Sequence, residues 1–239
     1  MGNRSVVPVI AAAALSCQIE ARDTVPSSGG TLAEAVTAAS HRMHVRFAAA
    51  SRLELAIAHS DLPRAHAEAH VLTELDEPDA LPAWRPYFAS IRDAARQIEL
   101  APGVVSAARL AAVLGRRCAS CHQAIGAPVV FPAEPAPPSD PHLAIQMVGH
   151  QWAAAQMWQG LIGPSDDRWR AGAHALTSAP LHIVAAAVIP NSELDIDDVA
   201  RVRLYARRAE AAGSLDARAD IFGTLLATCA HCHAVLRDR

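Results

Sequence analysis

Two five-residue segments, Cys118-Ala-Ser-Cys121-His122 and Cys229-Ala-His-Cys232-His233, constrain this chain more than anything else in it. Four of its five cysteines fall there, and both pairs share one spacing and a histidine directly behind it. Composition alone supplies about 0.005 such patterns by chance, so the pair is a signal and not an accident. The pairs lie 111 residues apart, and that offset aligns Ile91–His122 with Val202–His233 without a gap. Within the overlap Arg92 meets Arg203, Arg96 meets Arg207, Glu99 meets Glu210 and Leu114 meets Leu225. Upstream, Phe47-Ala-Ala-Ala answers Trp152-Ala-Ala-Ala, and Ser60-Asp61 answers Ser165-Asp166, in the same order. The chain reads as an internal duplication.

Cys-x-x-Cys-His is the attachment pattern of c-type haem, in which two thiols add across the vinyl groups and the histidine binds iron. On a helical turn, two intervening residues bring both sulfurs to one porphyrin edge and set the next histidine under the metal. Cys118, Cys121, Cys229 and Cys232 are therefore expected to hold two covalent haem c groups, with His122 and His233 as proximal iron ligands. A single structural zinc shared by four sulfurs fits less well, because the pairs are far apart in sequence and each has its own histidine. Disulfides or redox dithiols are the other alternative, and nothing nearby looks like a strand-to-helix redox site.

All 21 basic residues are arginine; against 24 acidic residues they leave a net charge of −3. There is no dense basic run, which argues against a nucleic-acid partner. Aromatics make up only 4% and alanine is abundant, a mix suited to close-packed helices. The fold class expected is all-α: two tandem four-helix haem domains, 31–125 and 142–239, joined by a Pro-rich linker, 126–141. Six of the 16 prolines lie between Gly126 and His142, and such a segment behaves as a semi-rigid spacer. In the first half, helices are expected near Thr31–His59, from the Ser60-Asp61 cap to Leu72, near Trp84–Leu100, and from Val105 into the haem motif. In the second they are expected near Pro141–Leu161, Asp166–Thr177, Asp198–Ala212 and Leu215–Leu236. Ala179–Asp195 reads equally as an extra apolar turn or as an early start to the third helix.

The amino terminus, Met1-Gly2-Asn3-Arg4 followed by an apolar run from Ser5 to Ser16, has the size of a signal-peptide core and is too short to span a bilayer. Residues 1–17 are read as an export signal, which places the protein in the periplasm. Ala14-Leu15-Ser16-Cys17 is similar to a lipobox, so Cys17 is a lipid-anchor candidate through which the mature chain would attach to a membrane.

A haem motif on the last helix, with the other haem face covered by the first helix, resembles the cytochrome c-prime and c-556 type of four-helix bundle, here present twice. The resemblance covers Thr31–Ile125 and Pro141 to the end. It implies a diheme cytochrome that carries single electrons between redox partner proteins. The sequence leaves the sixth ligand open. Candidates on the two first helices are His44 or Met43 and His150 or Met147; pairing His44 with His150 sets His41 against Met147 and favours the histidines. An open sixth position would instead make the protein a small-gas binder or sensor. No acid-base pair, nucleophile constellation or phosphate loop appears, so no catalysis is expected. Arg92, Arg96, Arg203 and Arg207 are candidates to meet haem propionates or simply to form solvated faces.

Overall fold

A computed structural model of the chain describes residues 32–75, 77, 80–127, 129–138, 143–178 and 196–237. Residues 1–31, with the proposed signal segment and Cys17, and the whole of Ala179–Asp195 lie outside them. The regular structure among the described residues is helical, with no strand. The helices are α1 (Leu32–Ala58), α2 (Leu62–Glu74), α3 (Arg85–Glu99, led by a 3-10 turn at Pro82–Trp84), α4 (Val104–Ile125), α5 (Leu143–Ile162), α6 (Asp166–Ser178), α7 (Ile196–Glu210) and α8 (Leu215–Arg237). None of the described helices is long and apolar enough to cross a membrane.

Local chemistry sets these boundaries. The chain turns out of α1 at Ser60, the one described non-glycine residue with positive φ (59°), and Asp61 then caps α2 by accepting a hydrogen bond from the Arg64 amide at 3.1 Å. Pro63 sits in the first turn, where no amide donor is needed. Asp166 and Asp167 place negative charge in the first turn of α6, and the Ser214 hydroxyl accepts from the Ala217 amide at the start of α8. α4 ends just past the first Cys-x-x-Cys-His motif because Gly126 takes the left-handed conformation (φ 63°), which lets the Ala127 amide close on the His122 carbonyl at 3.1 Å. The motif histidine is thus held in the last, capped turn of its helix.

The described residues from Ser40 onward belong to one compact unit, and a single cluster of buried side chains runs through both halves of the sequence. Among the described helices the most extensive contact joins α4 to α8, the two motif-bearing helices, followed by α5 with α6. α4 and α8 run antiparallel: Arg116 bonds Asp216 at 2.5 Å, and farther along Gly223 packs against Arg109 and Ala112. Ala107, Ala108, Ala111 and Ala112 are essentially unexposed, so small side chains let the two backbones approach closely. A Cβ on Gly223 would lie 3.1 Å from the Arg109 Cα and 3.3 Å from the Ala112 Cβ. Ala112 and Gly223 are also matched by the 111-residue repeat, so the helices cross near equivalent points.

The Pro-rich segment is docked rather than free. Phe131 packs on Phe47 of α1 with ring centroids 5.0 Å apart, Arg168 of α6 donates to the Phe131 and Pro132 carbonyls at 2.8 Å, and the Trp152 indole donates to the Glu134 carbonyl at 3.3 Å. A spacer has become a strap across α1, α5 and α6.

Candidate functional site

His122 and His233 each lie ten residues beyond the α4–α8 crossing, in opposite directions. At 1.5 Å per residue they are about 30 Å apart along the helix pair. The four motif cysteines therefore sit as two distant pairs, all unbonded to one another, and among the described residues no three His, Cys, Asp or Glu side chains converge as a metal ion would require.

Both motif histidines make the same contact, and each makes it to the other half of the chain. The His122 Nδ1 lies 3.0 Å from the carbonyl of Ile162, the last residue of α5. The His233 Nδ1 lies 2.6 Å from the carbonyl of Ala58, the last residue of α1. A carbonyl only accepts, so Nδ1 must carry the proton, and Nε2 is left with its lone pair. Burial lowers the pKa of both imidazoles, with these backbone bonds opposing, which favours the neutral form that binds a metal. The His59 ring stands edge-on to His233 at 5.1 Å and packs its outer side.

Burial also raises the motif thiols. Cys118 and Cys229 are pushed up to about 12, and Cys121 and Cys232 also move upward. A working redox dithiol needs the opposite, a stabilised thiolate, so these are poor exchange sites.

The two carbonyls also define how the halves correspond. Setting Ala58 against Ile162 pairs Met43 with Met147 and Arg46 with His150, two residues away from the register that pairs His44 with His150. His150 is half-buried, its Nε2 has no hydrogen-bond partner, and its pKa falls to about 4 through burial, with Arg203 and His233 adding repulsion. It is therefore a neutral imidazole with a free nitrogen in the neighbourhood of His233. His44 is exposed, and Met43 and Met147 are half-buried. The structure thus brings His150 toward a motif histidine and leaves His44 at the surface.

Several residues that the sequence reading passed over surround the sites. Arg46, 8% exposed, bonds Glu77 and the Leu75 carbonyl, lies over the Phe88 ring at 4.8 Å, and pulls the Cys118 and Cys121 thiols down against the effect of burial. Glu54, 7% exposed, sits one turn before Ala58 and pushes Cys229 up; Asp198, 3% exposed, does the same to Cys232. Asp198 also bonds Arg201 at 2.7 Å and approaches His231, the inner residue of the second motif, at 3.6 Å. The available signal was a charged residue interrupting an apolar helical stripe, as Arg46 and Glu54 interrupt Phe47, Ala50, Leu53 and Ile57. Of the repeated arginines, Arg96 pairs with Asp93 at the surface, whereas Arg203 is half-buried and acts on His150. Trp158 is core, stacked on Phe222 at 5.4 Å. A polar cavity of about 340 Å³ borders Gln123, Pro164, Asp166 and Arg218 and includes none of the motif cysteines.

No protein-family model, curated relative or solved structure matches the chain.

Proposed function

We propose that this chain is a diheme c-type cytochrome, an exported carrier that passes single electrons between redox partner proteins. The observation that carries the reading is the pair of motif histidines, each with Nδ1 committed to a backbone carbonyl and Nε2 left for a metal. Such an outer hydrogen bond fixes the tautomer and ring plane of a ligating histidine and raises its basicity. In this reading Cys118 and Cys121 hold one haem, with His122 as its axial ligand, and Cys229 and Cys232 hold the other, with His233. Haem supplies reversible one-electron chemistry at iron; the chain supplies attachment, ligand orientation and a buried surround that sets the potential.

The two four-helix repeats are then fused through α4 and α8 rather than merely tethered, and each completes the other's site with the carbonyl that ends its first helix. His150 is the favoured distal partner of the second haem. At the first, Arg46 stands where the second has His150, which favours a second reading limited to that site: an exchangeable sixth position that admits small gases. Export, and anchoring through Cys17, complete the proposal and rest on the amino-terminal sequence alone.

The deciding experiment is pyridine haemochrome quantification with intact mass on protein made in a host with haem-maturation machinery. Two covalent haems per chain are expected; a colourless, fully processed chain, or one loaded with zinc, overturns the proposal. Reduced spectra with and without carbon monoxide then separate the readings, since a purely six-coordinate carrier does not bind the gas rapidly at either haem.

A further inference from the structure

The two sites have matching backbones and opposite buried charge. At the first, Arg46 is buried, held by Glu77, the Leu75 carbonyl and the Phe88 ring, and its charge bears on both cysteines. Its counter-ion Glu77 is shared with Arg42, so these three groups carry one net positive charge. In the other half the position of Arg46 is held by His150, a neutral group. At the second site, Glu54 lies one turn before Ala58, whose carbonyl bonds His233, and Asp198 of α7 lies 3.6 Å from His231 inside the motif, both nearly unexposed. Their cationic neighbours are further out: Arg201 on Asp198 is 46% exposed, and Arg203 is half-buried near His150. The position of Glu54 in the other half is held by Trp158, which carries no charge. A buried charge acts on a nearby redox centre with little screening, whereas an exposed one is damped by solvent.

Resting on the two-haem reading, we propose that Arg46 and Glu54 polarise the molecule, so that the haem at Cys118–His122 takes an electron more readily than the haem at Cys229–His233. Taking up an electron lowers the charge on the haem by one. A neighbouring cation favours the reduced form and a neighbouring carboxylate the oxidised form. An electron delivered to the second site by a donor protein then passes downhill to the first: the second iron is oxidised, the first is reduced, and no bond or proton changes place. Arg46 and Glu54 act through the field at the haem and ligate nothing, so they are potential-setting residues at the two ends of one conduit.

The test is spectroelectrochemical titration of the full haem-loaded chain at pH 8, comparing the native protein with Arg46→Gln, Arg46→Lys and Glu54→Gln. The native protein is expected to reduce in two resolved one-electron steps. Arg46→Gln should lower only the upper step, by on the order of tenfold in the reduced-to-oxidised ratio at fixed ambient potential. Arg46→Lys, which keeps the charge, should restore the native value, and Glu54→Gln should raise only the lower step. Two bound haems that titrate as one unsplit step overturn the polarity while leaving the cytochrome reading intact, as does Arg46→Gln moving the lower step or Glu54→Gln moving the upper. A chain that binds no haem overturns the reading beneath it. Glu54→Gln removes a buried charge and keeps the side-chain shape, so it remains informative if the arginine variants do not fold.

Discussion

Replacing Glu54 by glutamine should make the protein more stable, and only above a definite pH. The carboxyl is 7% exposed, and burial moves its pKa from 4.5 to about 7. Below pH 4.5 the group is protonated in both folded and unfolded chains, so the substitution changes little. Between 4.5 and about 7 the folded state holds a proton that the unfolded state has released, and stability falls as pH rises. Above about 7 the penalty is complete and constant. At 1.36 kcal/mol per pH unit the displacement corresponds to about 3 kcal/mol. Glutamine has nearly the same shape and no charge to desolvate, so the advantage of Glu54→Gln over the native chain should grow from near zero at pH 4.5 to about 3 kcal/mol at pH 8. Urea unfolding of the haem-loaded proteins, followed by circular dichroism at several pH values, measures this difference and cancels every other titrating group. Parallel pH profiles, or a native chain that gains on the variant as pH rises, would refute the assignment of Glu54 as a buried, destabilising carboxylate.

Other substitutions probe packing and ligation. Gly172→Ala places a Cβ against the Ala153 carbonyl and 2.8 Å from the Met157 amide, both backbone atoms that cannot turn aside; it should lower stability by about 2–3 kcal/mol, while Gly213→Ala, with open space around it, should stay within about 0.5 kcal/mol in the same denaturation assay. Trp158→Ala empties a site that is 1% exposed and should remove about 3–5 kcal/mol. Because Trp158 fills the space over Gly115, Gly115→Leu should be harmful alone and partly restorative in the Trp158→Ala background, a sign reversal that a thermal melt of the four proteins would reveal. His150→Ala should open one haem to carbon monoxide, and His44→Ala should leave the spectrum of the reduced protein and its gas response unchanged; equal effects would place the two histidines in the same role.

Helix positions were legible because punctuation and periodicity agreed: the Asp61 cap, Pro63, the Pro102-Gly103 break and Gly126 all lie within a residue or two of observed ends. The motif cysteines and histidines were equally plain, since they fall in two short segments of identical spacing. What the sequence hid was long-range. The spacer reading of Gly126–His142 followed from proline content, yet Phe131 and two carbonyls find partners on α1 and α6 that only the folded chain supplies. The correspondence between the two first helices lies two residues away from the one that pairs the identical His44 and His150. The contact that fixes the register is a pair of backbone carbonyls, and a carbonyl leaves no letter in a sequence. Arg46 and Glu54 were hidden similarly, as charged residues on a stripe that seemed apolar.

The carbonyl contacts also bear on the order in which the protein can be made. Ile162 lies 40 residues beyond His122, and Ala58 lies 175 residues before His233. As the chain emerges from its amino end, the first motif-bearing helix must wait for a segment not yet synthesised, and the second closes a loop that encompasses most of the polypeptide. Each imidazole is locked only after the opposite half has arrived, so assembly cannot finish one half at a time. A nascent chain stalled after Ile125 would present its first pair of cysteines on a helix with no receptor for the neighbouring ring.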